Sequence, residues 1–200
     1  TDSEGNATIT GYKGSASSIA IPSTIDGYTV TKIKYDAFRN NTNIRSVTIP
    51  DSVIEIGTNA FNGCTKLSNV KLSKSLEKLN YLAFANCTSL TQIEIPKSLA
   101  TADYYGSFPY QGPFCNSGLK TVYFEEGTTK VANYLFGGAY KLTDVNLLDT
   151  MLTIGIDAFY SCSSLANIEI PDSVTLIERK AFYDCSSLTH IDIPDSLIVI

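Results

Sequence analysis

The chain has 200 residues, 44% of them hydrophobic and 18% charged, with 13 Gly and 7 Pro, which excludes disordered, collagen-like and disulfide-dense classes. With 15 basic residues against 20 acidic ones the net charge is −5, which argues against nucleic acid, whose phosphates need an excess of Lys and Arg. One His, one Met and no Trp leave little material for metal or acid–base chemistry, so no cofactor or metal is expected, and no run approaches the ~20 apolar residues of a membrane span.

The opening residues TDSEGNATITGYKG do not begin with Met and carry neither the basic nor the apolar region of a signal peptide, so the chain reads as a processed or trimmed piece. Residues 1–20 are expected to form an N-terminal β cap: Ala7–Ile21 alternates as a strand does, with Gly11 and Gly14 as turn signals. Residues 21–200 are a repeat array. An incomplete unit runs from Ile21 through Ile33 and Phe38, with Asp26-Gly27-Tyr28 inserted in its turn. Units then open at Ile44, Leu67, Leu90, Leu119, Leu142, Leu165 and Leu188, at spacings of 23, 23, 29, 23, 23 and 23 residues. That period lies within the ~20–29 residues of leucine-rich repeats and below the ~33 of helical ones. The long unit carries an insertion at about residues 100–113, and the last unit stops at Ile200 before its Ala-Phe turn, so the array is expected to continue or to pair end to end.

Within a unit, LxxIxI alternates apolar and polar residues, the mark of a half-buried strand, as in Leu165, Ile168 and Ile170. Proline at 50, 96, 171 and 194 ends that strand because it cannot donate a ladder hydrogen bond. Two residues later stands a small hydroxyl (Ser52, Ser75, Ser98, Thr150, Ser173 or Ser196, with Gly127 the exception), expected to satisfy buried turn amides. A second apolar pair follows, such as Val53 and Ile56, and then Ala-Phe. Seven of the 9 phenylalanines (38, 61, 84, 114, 136, 159 and 182) share this one position, so they form a core ladder. Three residues on stand Asn41, Cys64, Cys87, Ser117, Ala139, Cys162 and Cys185, a small buried column in which the cysteines are expected to be packed thiols. Cys115 falls outside the column and is the one thiol expected to be reachable.

A single unit cannot bury its own apolar face, so stacked neighbours must share one core. The expected fold is α/β: a right-handed leucine-rich-repeat solenoid with a parallel sheet of LxxIxI strands on its concave face. Short strands and a helical or 3₁₀ turn around AFxxC would form the return. The unit IxIPDSVxxIxxxAFxxCxxL, clearest at Ile49–Cys64 and Ile170–Cys185, resembles the BspA-like leucine-rich-repeat family of bacterial surface antigens, as does the opening TITGYKGSASSIAIPSTIDGYTVTKI. Residues 119–152 depart most, with Glu125-Glu126-Gly127 in place of Pro-x-Ser. The resemblance implies a secreted or wall-attached protein of host-associated bacteria that adheres to host proteins or other cells, without catalysis.

Two places are candidates for a ligand. The outward positions of the LxxIxI strands include Arg45, Lys71, Glu94, Lys120, Tyr123, Asp144, Glu169 and Asp192, with bases in the first four strands and acids dominant in the last three. Such a graded face orients a protein partner, or is ordinary solvated surface. The insertion carries Tyr104, Tyr105, Phe108 and Tyr110 within seven residues, and insertions in solenoids map to surface loops. Those rings either recognise a ligand or cover the irregular stack around Gly127 and Leu135. Catalytic sets are poor: His190 has only Asp192 beside it, and Glu94 and Glu169 fall about 15 Å apart at ~4.8 Å per coil, too far for the ~5–9.5 Å of a glycosidase pair. The expected function is therefore extracellular or cell-surface adhesion to a host matrix or cell-surface protein. The alternatives are a structural spacer displaying another domain, or glycan binding by the aromatic insert.

Overall fold

The computed structural model describes residues 5–102 and 111–198. Each unit closes one coil, and coils stack in register so that like residues meet: Val47 pairs with Val70, Val122 with Val145, Ile56 with Leu79 and Ile154 with Ile177, all in parallel. The 23-residue period is thus the length of one turn of a β-solenoid. Two strand columns run along the stack. The LxxIxI column holds Ser18–Ala20, Ser46–Thr48 and Asn69–Lys71 in one parallel sheet and Gln92–Ile95, Thr121–Phe124 and Asp144–Val145 in another.

The short strands expected on the return form a second parallel column. It holds Ala7–Ile9, Tyr28–Ile33, Glu55–Ile56, Lys78–Leu79 and Thr101–Ala102, then Lys130–Val131, Thr153–Ile154 and Leu176–Ile177. Thr24–Ile25 folds back antiparallel on Tyr28–Ile33 through Asp26 (φ 51°) and Gly27 (φ 84°), the two left-handed residues that a tight hairpin turn requires. Residues 7–20 therefore add one strand to each column.

The helical or 3₁₀ turn expected around AFxxC is absent, and no helix occurs among the described residues, so the α/β assignment does not hold. The reason is where the amides go. In the first complete unit Ala60, Asn62 and Cys64 donate to the carbonyls three residues back, whereas Asn59, Phe61 and Gly63 donate to Tyr81, Ala83 and Ala85 of the following coil. A helix would turn every amide along its own axis and leave the next coil without partners. Instead each coil makes a run of β-turns, with left-handed residues two before and two after the Phe: Asn59 and Gly63, Leu82 and Asn86, Asp157 and Ser161, Lys180 and Asp184.

The ring ladder holds as expected. Phe38, Phe61, Phe84, Phe114, Phe136, Phe159 and Phe182 stack with centroids 4.7 to 5.8 Å apart and planes within 23°. Tyr12, which the repeat pattern does not single out, closes the N-terminal end: its ring lies 5.7 Å from Phe38 and its hydroxyl accepts the Ala16 amide at 3.1 Å. The hydroxyl column also bridges coils, but through carbonyls and not amides. Ser98, Thr150, Ser173 and Ser196 donate to Leu76, Thr128, Met151 and Val174 one coil back at 2.6 to 2.8 Å. The turn amides are already used locally, as in Val53 to Pro50 and Val174 to Pro171.

All five cysteines are buried free thiols. Cys64, Cys87, Cys162 and Cys185 each donate to the carbonyl of the ladder Phe in the preceding coil, at 3.1 to 3.3 Å. Burial pushes the thiols of Cys64 and Cys185 up to about 11 from an ordinary 9.0, and those of Cys87 and Cys162 well above it. Cys115 is not reachable, contrary to expectation. The Gly112 amide donates to Gly137, which ties this segment to the following coil and holds Cys115 at 5% exposure. Its thiol faces Gly138, where a Cβ would lie 2.8 Å from Sγ and where φ is +73°. The close approach to Sγ is what calls for glycine there, since Asn86, Ser161 and Asp184 hold the same left-handed position in other coils.

Candidate protein-interaction face

Every outward residue singled out on the LxxIxI strands is exposed: Arg45, Lys71, Glu94, Lys120, Tyr123, Asp144, Glu169 and Asp192. Strand alternation puts them there, since Val47, Ile93 and Val122 fill the opposite face and are buried. The structure brings Lys71, Glu94 and Tyr123 together on three successive coils, and Asp144 and Glu169 on two others, while Arg45 and Asp192 lie toward the two ends of the array. Tyr104, Tyr105, Phe108 and Tyr110 lie outside the described residues. Their neighbours are fixed, however: Thr101–Ala102 pairs with Lys78–Leu79, and the Tyr81 hydroxyl donates to Gln111 Oε1 at 2.9 Å.

The face is not one continuous sheet. Asn69–Lys71 and Gln92–Ile95 belong to separate sheets, and no backbone hydrogen bond joins them among the described residues. The carbonyls of Thr91 and Ile95 accept amides of the following coil, so alternation turns the Gln92 and Glu94 amides toward the parting. On the other rim the Lys71 carbonyl accepts the Ile49 amide, which turns the Val70 carbonyl into the same parting. Val70 is only half-buried, although its counterparts Val47 and Ile93 are 1% and 2% exposed.

Two shallow grooves meet at this parting. One, of about 350 Å³, is lined by Val70, Lys71, Leu72, Lys74, Glu94, Pro96 and Glu125. The other, of about 650 Å³, is lined by Ser68, Asn69, Gln92, Ile93, Tyr123 and Phe124 together with Val70 and Glu94. A further groove lies where the ladder stops again after Asp144–Val145, between that strand and residues 166–169. Lys74 and Glu125 line the groove although strand alternation alone does not indicate them, because they follow the strand. The available signal was the replacement of Pro-x-Ser by Ser73-Lys74-Ser75 and Glu125-Glu126-Gly127.

Elsewhere the chemistry is sparse. His190 Nε2 lies 2.8 Å from Asp192 Oδ1, with both side chains at least 75% exposed. Among the described residues no three of His, Cys, Asp and Glu converge as a metal site needs, and no helix is long and apolar enough to cross a membrane.

Residues 12–108 and 110–200 match the family model described as a BspA type Leucine rich repeat region, in 6 copies. The chain belongs to that family. Among solved structures, this BspA-type protein is similar to the leucine-rich-repeat protein of T. pallidum, at 28% identity over 98% of this chain and 78% of that one, with a TM-score of 0.64. It is also similar to a leucine rich cell surface protein from Faecalibacterium prausnitzii, at 33% identity over 95% of this chain and 51% of that one, with a TM-score of 0.64. A third likeness is to the pneumococcal vaccine antigen PcpA, at 25% identity over 90% and 51%, with a TM-score of 0.55. The chain spans about half the length of the last two. No curated protein matches it. The ring ladder, the small column and the stacked parallel strands are what this BspA-type sequence builds.

Proposed function

We propose that this protein is a secreted or cell-surface adhesion module that binds a host matrix or cell-surface protein, or a protein of a neighbouring cell, and performs no catalysis. The observation that carries the reading is the parted LxxIxI face: a rigid stack presents exposed charges graded from basic to acidic, around grooves with an apolar floor. Complementary charge sets the orientation and association rate of a protein partner. Family membership supports it, as do relatives described as a cell surface protein and a vaccine antigen. Rigidity suits the role, because a face held by ring, thiol and hydroxyl ladders loses little entropy when a partner docks.

The test is binding of the purified chain to an array of matrix proteins, plasma proteins and glycans at two salt concentrations. A protein captured at low salt and released at high salt supports the charge-graded face as the site. Capture of glycans alone transfers the function to the carbohydrate reading, in which Tyr104, Tyr105, Phe108 and Tyr110 are the binding rings. Silence across the array favours a spacer that displays another domain.

A further inference from the structure

We infer that the groove at the parting between Asn69–Lys71 and Gln92–Ile95 binds a dipolar polypeptide segment: an acidic side chain, then an apolar one, then a basic one, lying along the solenoid axis. The inference rests on the reading of the chain as a protein-binding module and names the chemistry of its partner. Three observations converge. The basic side chains Lys71 and Lys74 lie on the coil before the parting, and the acidic side chains Glu94 and Glu125 on the two coils after it, so the groove has a positive end and a negative end. No ion pair within the chain joins these lysines to these glutamates among the described residues; Lys71, Lys74 and Glu94 are exposed, while the half-buried Glu125 accepts the Lys97 amide through Oε2 at 3.1 Å. The floor between them is apolar, made by Val70, Leu72 and Pro96, with Val70 half-buried only because the ladder fails to close over it.

A purely anionic or purely cationic partner would meet repulsion at one end of this groove, which is how a charge pair discriminates among ligands. The dimensions suit an extended segment. Successive coils of such a stack lie ~4.8 Å apart and same-side residues of an extended chain ~6.8 Å apart, so with i+2 over the floor the ~13.6 Å from i to i+4 exceeds the ~9.6 Å from the Lys71 coil to the Glu125 coil, a difference that the long Lys and Glu side chains take up. The apolar residue at i+2 is the anchor, and the charges at i and i+4 set direction and register. The unpaired amides of Gln92 and Glu94 and the carbonyl of Val70 add donors and an acceptor within the groove.

The experiment is an NMR amide titration of the whole chain with four capped peptides: Ser-Glu-Ser-Leu-Ser-Lys-Ser, its all-acidic and all-basic versions, and a version with both charged residues replaced by Gln. The expected result is saturable shifts at Val70, Lys71 and Glu94 with the dipolar peptide, and affinity about tenfold weaker for the other three. Lys71→Glu should weaken dipolar binding by about tenfold, and exchange of both pairs (Lys71→Glu and Lys74→Glu with Glu94→Lys and Glu125→Lys) should restore most of it, because the segment can then bind reversed. Lys71, Lys74 and Glu94 are exposed and Glu125 is half-buried, and thermal melts of each variant report on the fold. Equal shifts with all four peptides, no shifts at these amides, or no recovery in the charge-exchanged variant with an unchanged melt would each overturn the inference. A protein captured on the array with equal affinity by wild type and Lys71→Glu would leave the adhesion reading standing while removing this groove from it.

Discussion

Replacing Phe159 with Ala tests the ladder on which the whole stack depends. The ring is fully buried between Phe136 and Phe182, with centroids 5.4 and 5.3 Å away and planes 15° and 4° apart. Its backbone bonds to Ala181 and Cys162 and the Cys185 thiol bond to its carbonyl do not depend on the ring, so the substitution isolates packing. Removing a buried Phe costs ~3–5 kcal/mol through lost transfer energy and the cavity left behind. With an unfolding entropy of ~2.1 cal/mol/K per residue, the chain unfolding as one unit would lose about 7–12 °C in melting temperature. If the coils unfold in separate cooperative blocks the shift is larger, and hydrogen exchange would show protection lost first in the coils flanking residue 159. The comparison is Phe182→Ala: that ring is half-buried and stacks on one described ring, so it should cost about half as much. Glu169→Ala, at an exposed position, should cost less than ~0.5 kcal/mol. Melting and urea denaturation followed by circular dichroism read all three, and equal losses for Phe159→Ala and Glu169→Ala would refute the ladder as the source of stability.

Four further outcomes are expected. Thiols with folded values of about 11 against an ordinary 9.0, as at Cys64 and Cys185, stay protonated in the fold and ionise on unfolding, so their stabilisation is complete below pH ~9 and is lost as pH rises toward ~11. Each such shift is worth up to ~2–3 kcal/mol, and the paired Cys64→Ala and Cys185→Ala variant should show a shallower fall in melting temperature between those pH values. Asp157 is 3% exposed with Oδ1 lacking a hydrogen-bond partner, and burial holds its carboxyl above the usual carboxylate range against the pull of Arg179 and Lys180. Its charged form is therefore a liability above that range, so Asp157→Asn should raise the melting temperature at pH 7 and the gain should shrink as pH falls toward 4; Asn59 already holds the same left-handed position in another coil. Tyr12→Ala should destabilise by ~1–3 kcal/mol through lost capping of Phe38, seen as faster hydrogen exchange in residues 28–38. Replacing Tyr104, Tyr105, Phe108 and Tyr110 together by Ser leaves the bonds of Ala102 and Gln111 in place, and a loss of array binding with an unchanged melt would assign the insert to recognition and not to packing.

Much of this molecule is legible in its sequence because a solenoid stacks each residue on its own counterpart. A position that touches mainly its equivalent one coil away appears as a column in the repeat, which is why Phe61, Phe84 and Phe159 declare a ladder and Cys64, Ala139 and Cys162 declare a small buried slot. The period, the strand LxxIxI, the core and the exposure of Lys71, Glu94 and Tyr123 all follow from that neighbour rule. Tertiary structure alone decided what depends on backbone spacing and hydrogen-bond direction, neither of which selects a residue type. It turned alternate amides of the AFxxC segment onto the next coil and so made a run of β-turns where a helix was expected. It directed the serine hydroxyls and the thiols to carbonyls one coil back, and it buried Cys115 beside Gly138. Above all, it parted the ladder between Asn69–Lys71 and Gln92–Ile95, where the LxxIxI pattern is unbroken in both coils: the strand side chains of the two units are equivalent there, but the distance between their backbones is set by how the whole stack packs.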